Sequence, residues 1–306
     1  MNHQIHTKPS SLRQGPTNRA RVVRNYTIFA LVAITAGWAG IALDKATGAS
    51  PSNSAGMLMW ILLPAVVAVL LFRLQPDGGG PLGLTLRFPH RTKWFTLAGL
   101  FYLPFTVVIV LAGIVAGVSV FNVSGSTAWS NLIVAMAVAL PTLAIKNAVE
   151  EFIFRGFGTR TAVATGLPRL WSHVVVGVTW GLWHMPLYVY WMTRMDFQHT
   201  TSLPWPLFVP VFFAGVIAVA VVFGELRLRA GSIWPGVLMH SIGGALVNTL
   251  ILGGYLHFSG HADVFFSPVP NSTASILLFG LVGLVMFRRL DSISARSSRP
   301  SPMASP

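Results

Sequence analysis

The chain has 306 residues, 53% of them hydrophobic and 9% charged, with a mean hydropathy of +0.65. Soluble domains carry about 25% charged residues, so the composition excludes a soluble globular protein and predicts an all-α polytopic membrane protein embedded in the lipid bilayer. The net charge of +13 sits in short loops and tails beside apolar runs, which is a positive-inside pattern and not a nucleic-acid surface; the absence of cysteine excludes disulfides, thiol nucleophiles and cysteine metal sites.

In chain order, residues 1–24 read as a disordered basic cytoplasmic tail, 25–290 as a helical transmembrane domain, and 291–306 as a second disordered tail. A spanning helix needs about 20 apolar residues. Segments 25–43, 56–72, 94–120, 128–157, 172–192, 207–224, 232–255 and 274–287 approach or meet this, about eight spans in all, the last being short. The first is too long for a signal-peptide core and reads as a retained anchor. Arg73, Arg87, Arg91 and Lys93 mark the second loop, Arg155, Arg160 and Arg169 the fourth, and Arg227 and Arg229 the sixth. Both tails are also basic, and the alternate loops are nearly charge-balanced. This places both termini in the cytoplasm and predicts a multi-pass protein of the plasma membrane. Residues 76–81 (Pro-Asp-Gly-Gly-Gly-Pro) form a turn-rich loop, and 82–88 read as a short amphipathic interfacial piece.

Only eight residues in the chain are acidic, yet Glu150 and Glu151 stand side by side at the end of the apolar run 128–157. An ionisable residue at membrane depth is costly and points to function. Successive helical positions point about 100° apart, and positions four apart share a face. Glu151 therefore pairs with Arg155, and Glu150 is left available. Lys146 is either its counter-ion or a snorkelling lysine.

His184 in the fifth span and His240 in the seventh reach a similar depth at ~1.5 Å rise per residue. A carboxylate and two histidines suit hydrolysis: the glutamate takes a proton from water, and the histidines hold that water or stabilise an oxyanion. Glu150, His184 and His240 equally match a two-His, one-carboxylate zinc pattern, although no HExxH motif is present. Zinc and metal-free catalysis both fit. Single histidines on apolar helices are ordinarily hydrogen-bonded core residues, so a purely structural network is the plainer alternative. The aromatic stripe Trp180, Trp183, Tyr188, Tyr190 and Trp191 reads as packing and interface belt.

Glu150-Glu151-x-x-x-Arg155, then Trp180-x-x-x-His184, then His240 after Gly-Ser-Ile-Trp-Pro resembles the CAAX-protease and bacteriocin-processing family, also called type II CAAX prenyl endopeptidase-like. The resemblance covers about 128–248, within a protease-like core at 128–255. It implies an intramembrane endopeptidase cutting near the cytoplasmic face, with Glu150 as water-activating base, His184 assisting, and His240 stabilising the oxyanion or ligating a metal. Glu151, Arg155 and Trp180 would brace the site. The implied substrate is a peptide or protein C-terminus, lipidated in some relatives. Trp180 stands where the family usually has Phe, and Gly244 where it usually has Asn. Asn248 is about 80° round the helix from His240 and is not expected to replace that Asn. A catalytically impaired scaffold or immunity-like protein, or a proton-coupled transporter using Glu150 and Lys146, are the other readings.

Overall fold

The computed structural model describes residues 18–50, 54–86 and 88–297. Most of the predicted N-terminal tail, the end of the C-terminal tail, and Arg87 lie outside the described residues. The elements are α1 (Arg19–Thr47), α2 (Ala55–Leu74), α3 (Phe88–Val115), β1 (Ser119–Phe121), α4 (Gly125–Glu151), α5 (Arg160–Ala164), α6 (Arg169–Pro186), α7 (Arg194–Thr200), α8 (Trp205–Ala230), α9 (Trp234–Leu252), β2 (Leu256–Phe258), α10 (Asp263–Phe266) and α11 (Thr273–Ser297). π-helical turns at Phe152–Thr159 and Leu187–Trp191 follow α4 and α6 directly.

Each predicted span falls on a helix. Among the described residues six helices are long and apolar enough to cross a membrane: α1, α2, α3, the continuous unit Gly125–Ala164, α8 and α9. The predicted fifth span falls on α6 with its π-helical extension, and the eighth on α11, whose apolar part Thr273–Arg288 is shorter.

Two boundaries differ from expectation. α1 begins at Arg19, because the Asn18 side chain accepts the Arg21 N–H at 3.1 Å, capping the helix. Arg21 and Arg24 then donate to the Pro76 carbonyl and the Gln75 side chain, so residues read as tail become the first turn of a helix. α11 continues to Ser297, past the predicted end of the domain.

The helices pack as neighbours α1 with α2, α4 with α9, α6 with α8, α8 with α11, and α3 with α9. α1 and α2 meet at Gly40 and Gly56, where a Cβ on either would overlap the other's carbonyl; close backbone approach at small residues is how membrane helices gain contact without a hydrophobic drive. α6 is fixed by an aromatic stack: the Trp60 ring lies 4.3 Å from Trp183 and 5.3 Å from Trp191, and its indole N–H donates to the Trp183 carbonyl at 2.7 Å. The predicted packing role of Trp183 and Trp191 is what these contacts do.

Residues 82–86, read as a short amphipathic interfacial piece, are extended. With 76–81 they form an extended strap across the basic ends of the helices. Its carbonyls are taken in turn: Gly80 by Arg160, Pro81 by Arg227, Gly83 by the Ile233 N–H, Leu84 by the Trp234 indole and Thr85 by the Ser232 hydroxyl. A helix would have satisfied those carbonyls internally, but side-chain donors converge on them instead. Gly83 has φ +75°, and a Cβ there would strike the Arg227 guanidinium. At the strap's start, Arg160 donates to Asp77 Oδ1 at 2.5 Å. Burial raises the Asp77 pKa, and the bonds from Arg160 and the Gly79 N–H outweigh it, leaving the carboxyl below its ordinary value.

Candidate active site

The last two turns of α4 carry Lys146, Asn147, Glu150 and Glu151, and both glutamates are buried. They diverge as the helical angle requires. Arg155 Nε lies 3.7 Å from Glu151 Oε2, the predicted pair. The chain has already entered its π-helical turn there, a local change of winding frequent at functional sites. Lys146 Nζ meets Glu150 Oε1, so Lys146 is the counter-ion rather than a snorkelling residue.

The Arg155 guanidinium is fully buried and makes no hydrogen bond among the described residues. It lies 4.2 Å from the Trp180 ring centre and 5.2 Å from Phe223, a cation–π arrangement of the kind arginine favours. Trp180 also presents its ring to both histidines, at 5.4 Å from His184 and 5.8 Å from His240, each near a T-shape. The indole is wedged between the arginine and the two imidazoles.

Each imidazole is held by its Nδ1. His184 Nδ1 lies 2.9 Å from the Trp180 carbonyl oxygen. A carbonyl only accepts, so Nδ1 carries the proton and Nε2 of the neutral ring is an acceptor. His240 Nδ1 lies 3.1 Å from Glu151 Oε1, which orients that ring in the same way, with Nε2 3.9 Å from Glu150 Oε2. That gap is too long for a hydrogen bond and short enough for one water to touch both atoms.

In front of these groups lies a cavity of about 280 Å³, lined by Lys146, Asn147, Trp180, His184 and His240 among others. Glu150 is not part of the lining; its carboxylate sits behind Lys146 and His240. The structure therefore brings Glu150, His184 and His240 to one place, with the glutamate as the deepest member.

Three amides in the same cavity were not expected there. Asn248 lines it, and its Nδ2 lies 3.9 Å from where a Cβ on Gly244 would stand. Helical side chains lean toward the N-terminus, and the glycine one turn earlier leaves space for the amide to do so. Asn147 donates to Ser241 Oγ at 3.4 Å, and its Oδ1 is buried without a partner among the described residues. Asn271 enters from the loop before α11, its Nδ2 buried and likewise unpartnered. Asn147 adjoins Lys146 and could have been weighed as part of a polar turn; nothing in the sequence marks Asn271, because only the folded loop brings it to the cavity.

Among the described residues no group of three or more His, Asp or Glu side chains is placed to hold a metal ion, and the Lys146 ammonium already occupies one oxygen of Glu150. Another buried acid, Glu225, is engaged elsewhere, 3.0 Å from His173 and 2.8 Å from Arg169.

No curated protein matches the chain. A family model does: residues 128–246 match the family described as type II CAAX prenyl endopeptidase Rce1-like. Glu150, Glu151, Arg155, Trp180, His184 and His240 all fall inside the match, a similarity that supports membrane endopeptidase activity as a class.

Proposed function

We propose that the protein is an intramembrane endopeptidase in which Glu150 activates the attacking water without a metal. The observation that carries this reading is the paired geometry of Glu150: Oε1 faces Lys146, and Oε2 faces His240 Nε2 at 3.9 Å, a gap that one water would bridge. That water gives one hydrogen to Glu150 Oε2 and points the other at the acceptor Nε2 of His240. Its oxygen attacks the scissile carbonyl carbon as Glu150 takes the proton. The oxyanion that forms accepts a hydrogen bond from the Asn248 amide. Collapse breaks the C–N bond, and the proton on Glu150 passes to the departing amine nitrogen.

His184 Nε2, an acceptor of the same kind, holds a backbone N–H of the substrate beside the bond to be cut. Lys146 offsets the charge of the buried carboxylate. Glu151 and Arg155 act through His240 and Trp180 and are positioning residues. The substrate is a peptide or protein C-terminal segment, in extended form where it crosses the site, because a cavity near the small end of the ~300–1,000 Å³ ligand range admits no folded domain.

The test uses the protein purified in detergent with a peptide it cleaves. Glu150→Gln keeps the shape and removes the base, and should abolish cleavage with the folded yield unchanged. Metal chelators should leave the wild-type rate unaltered. Cleavage retained by Glu150→Gln would sink the role given to that residue.

A further inference from the structure

One cation at the basic ends of the helices has no counter-ion. Arg227, in the last turn of α8, is buried. Its Nη2 donates to the Pro81 carbonyl at 2.9 Å, and its Nε is enclosed without a partner. Among the described residues no carboxylate pairs with it. The charges that act on it are those of Arg91 and Arg160, both of its own sign. Asp77 is committed to Arg160, and Glu225 to Arg169, Arg229 and His173. A guanidinium does not shed its proton, so a buried one is costly until an anion compensates it.

Two glycines bring the cations to this place. Gly83 has φ +75°, and a Cβ there would overlap the Arg227 guanidinium; Gly231, just past α8, has φ +57°, and a Cβ there would stand 3.1 Å from Arg91 Nη2. The strap and the turn between α8 and α9 are held together at this point, where the Ile233 N–H donates to the Gly83 carbonyl at 3.0 Å. Arg227 and Arg91 thus flank one short stretch of backbone. The surroundings are apolar and interfacial. Leu84, Leu86 and Phe88, which follow Gly83, are each exposed. The Trp94 ring on α3 lies 5.0 Å from Lys93 Nζ and 5.9 Å from the Arg229 guanidinium, the setting of an indole at headgroup level.

We infer that Arg227 and Arg91 bind a phosphate group at this face of the bundle, that of an anionic phospholipid whose acyl chains lie along Leu84, Leu86 and Phe88. Loop arginines and lysines gather on the cytoplasmic side of a membrane protein, and basic pockets between helices on that side take lipid headgroups. The guanidinium fork matches the paired oxygens of a phosphate. With Nη2 taken and Nε enclosed, Nη1 of Arg227 is the group that reaches it. Inorganic phosphate offers the same oxygens without the chains.

The protein, washed free of lipid in a non-ionic detergent, is titrated with phosphatidylglycerol or phosphatidylcholine of the same acyl chains. Bound lipid is counted by native mass spectrometry at constant ionic strength. One phosphatidylglycerol per chain should bind at least ~10-fold tighter than phosphatidylcholine. Arg227→Gln and Arg91→Gln should each weaken it ~10–100-fold, the range of a hydrogen bond to a charged group. Arg73→Gln, at an exposed position in the last turn of α2, should not. Arg227→Gln also gives up the Pro81 bond; if it fails to fold, Arg91→Gln decides, because the strap bonds of Arg160, Arg227, Ser232 and Trp234 stay in place. Inorganic phosphate should displace little of the lipid. Phosphate that displaces it fully, with the same dependence on Arg91 and Arg227, keeps the phosphate site and overturns its lipid source. Equal binding of the two lipids overturns the inference, as does wild-type binding by Arg91→Gln or an equal loss in Arg73→Gln.

Discussion

Glu151 orients His240. The imidazole Nδ1 lies 3.1 Å from Glu151 Oε1, while the other carboxylate oxygen lies 3.7 Å from Arg155 Nε. One buried carboxylate therefore fixes the ring that faces Glu150 and compensates the buried Arg155 guanidinium.

Removing one partner of that pair should be worse than removing both. Glu151→Gln leaves the Arg155 charge buried and uncompensated, at a cost of ~3–5 kcal/mol. The double variant Glu151→Gln, Arg155→Met replaces the arginine by an apolar side chain against Trp180 and Phe223, and should recover much of that loss. Thermal unfolding in detergent gives the comparison. Additive losses would mean that the two residues stabilise the fold independently.

Asn248→Ala should lower turnover by ~10²–10³, the usual effect of losing one oxyanion donor, with little change in KM and no change in melting temperature. Asn248→Asp should fall as far, because a carboxylate offers no N–H. The steady-state split of kcat from KM is the measurement. A change confined to KM would make Asn248 a binding residue along the cavity wall.

Asp77 predicts an acid limb. Its carboxyl is held below its ordinary pKa by Arg160 and the Gly79 N–H, against the opposing effect of burial. A group depressed in the folded state contributes stability above its unfolded value of about 3.9, and loses it as pH falls through the folded value. The wild type should therefore lose melting temperature below about pH 4 more steeply than Asp77→Asn, which should already be less stable at neutral pH. Parallel curves from about pH 7 to pH 3 would contradict this.

Much of this was legible in the sequence because it depends on local periodicity. The four-residue spacing of Glu151 and Arg155 survives the π-helical turn, and the depths of His184 and His240 along their helices carry over into shared contact with Trp180. What periodicity could not deliver were relations between elements. The angle of Asn248 round α9 does not show that its amide lies beside Gly244 in the cavity wall. Asn271 lies in a loop without periodicity, and reaches the cavity only because α8 approaches the chain at Gly215, where a Cβ would overlap the Pro270 carbonyl. Residues 82–86 look amphipathic as a string, but their carbonyls are claimed by donors far along the chain.

The most direct measurement compares polypeptide termini in membranes of the native cells, carrying either the wild-type chain or Glu150→Gln at equal abundance, by mass spectrometry. Water labelled with ¹⁸O marks each new carboxylate. A set of labelled C-termini present with the wild type and missing with Glu150→Gln is the expected result. Identical sets of termini from the two strains would contradict a glutamate-driven endopeptidase.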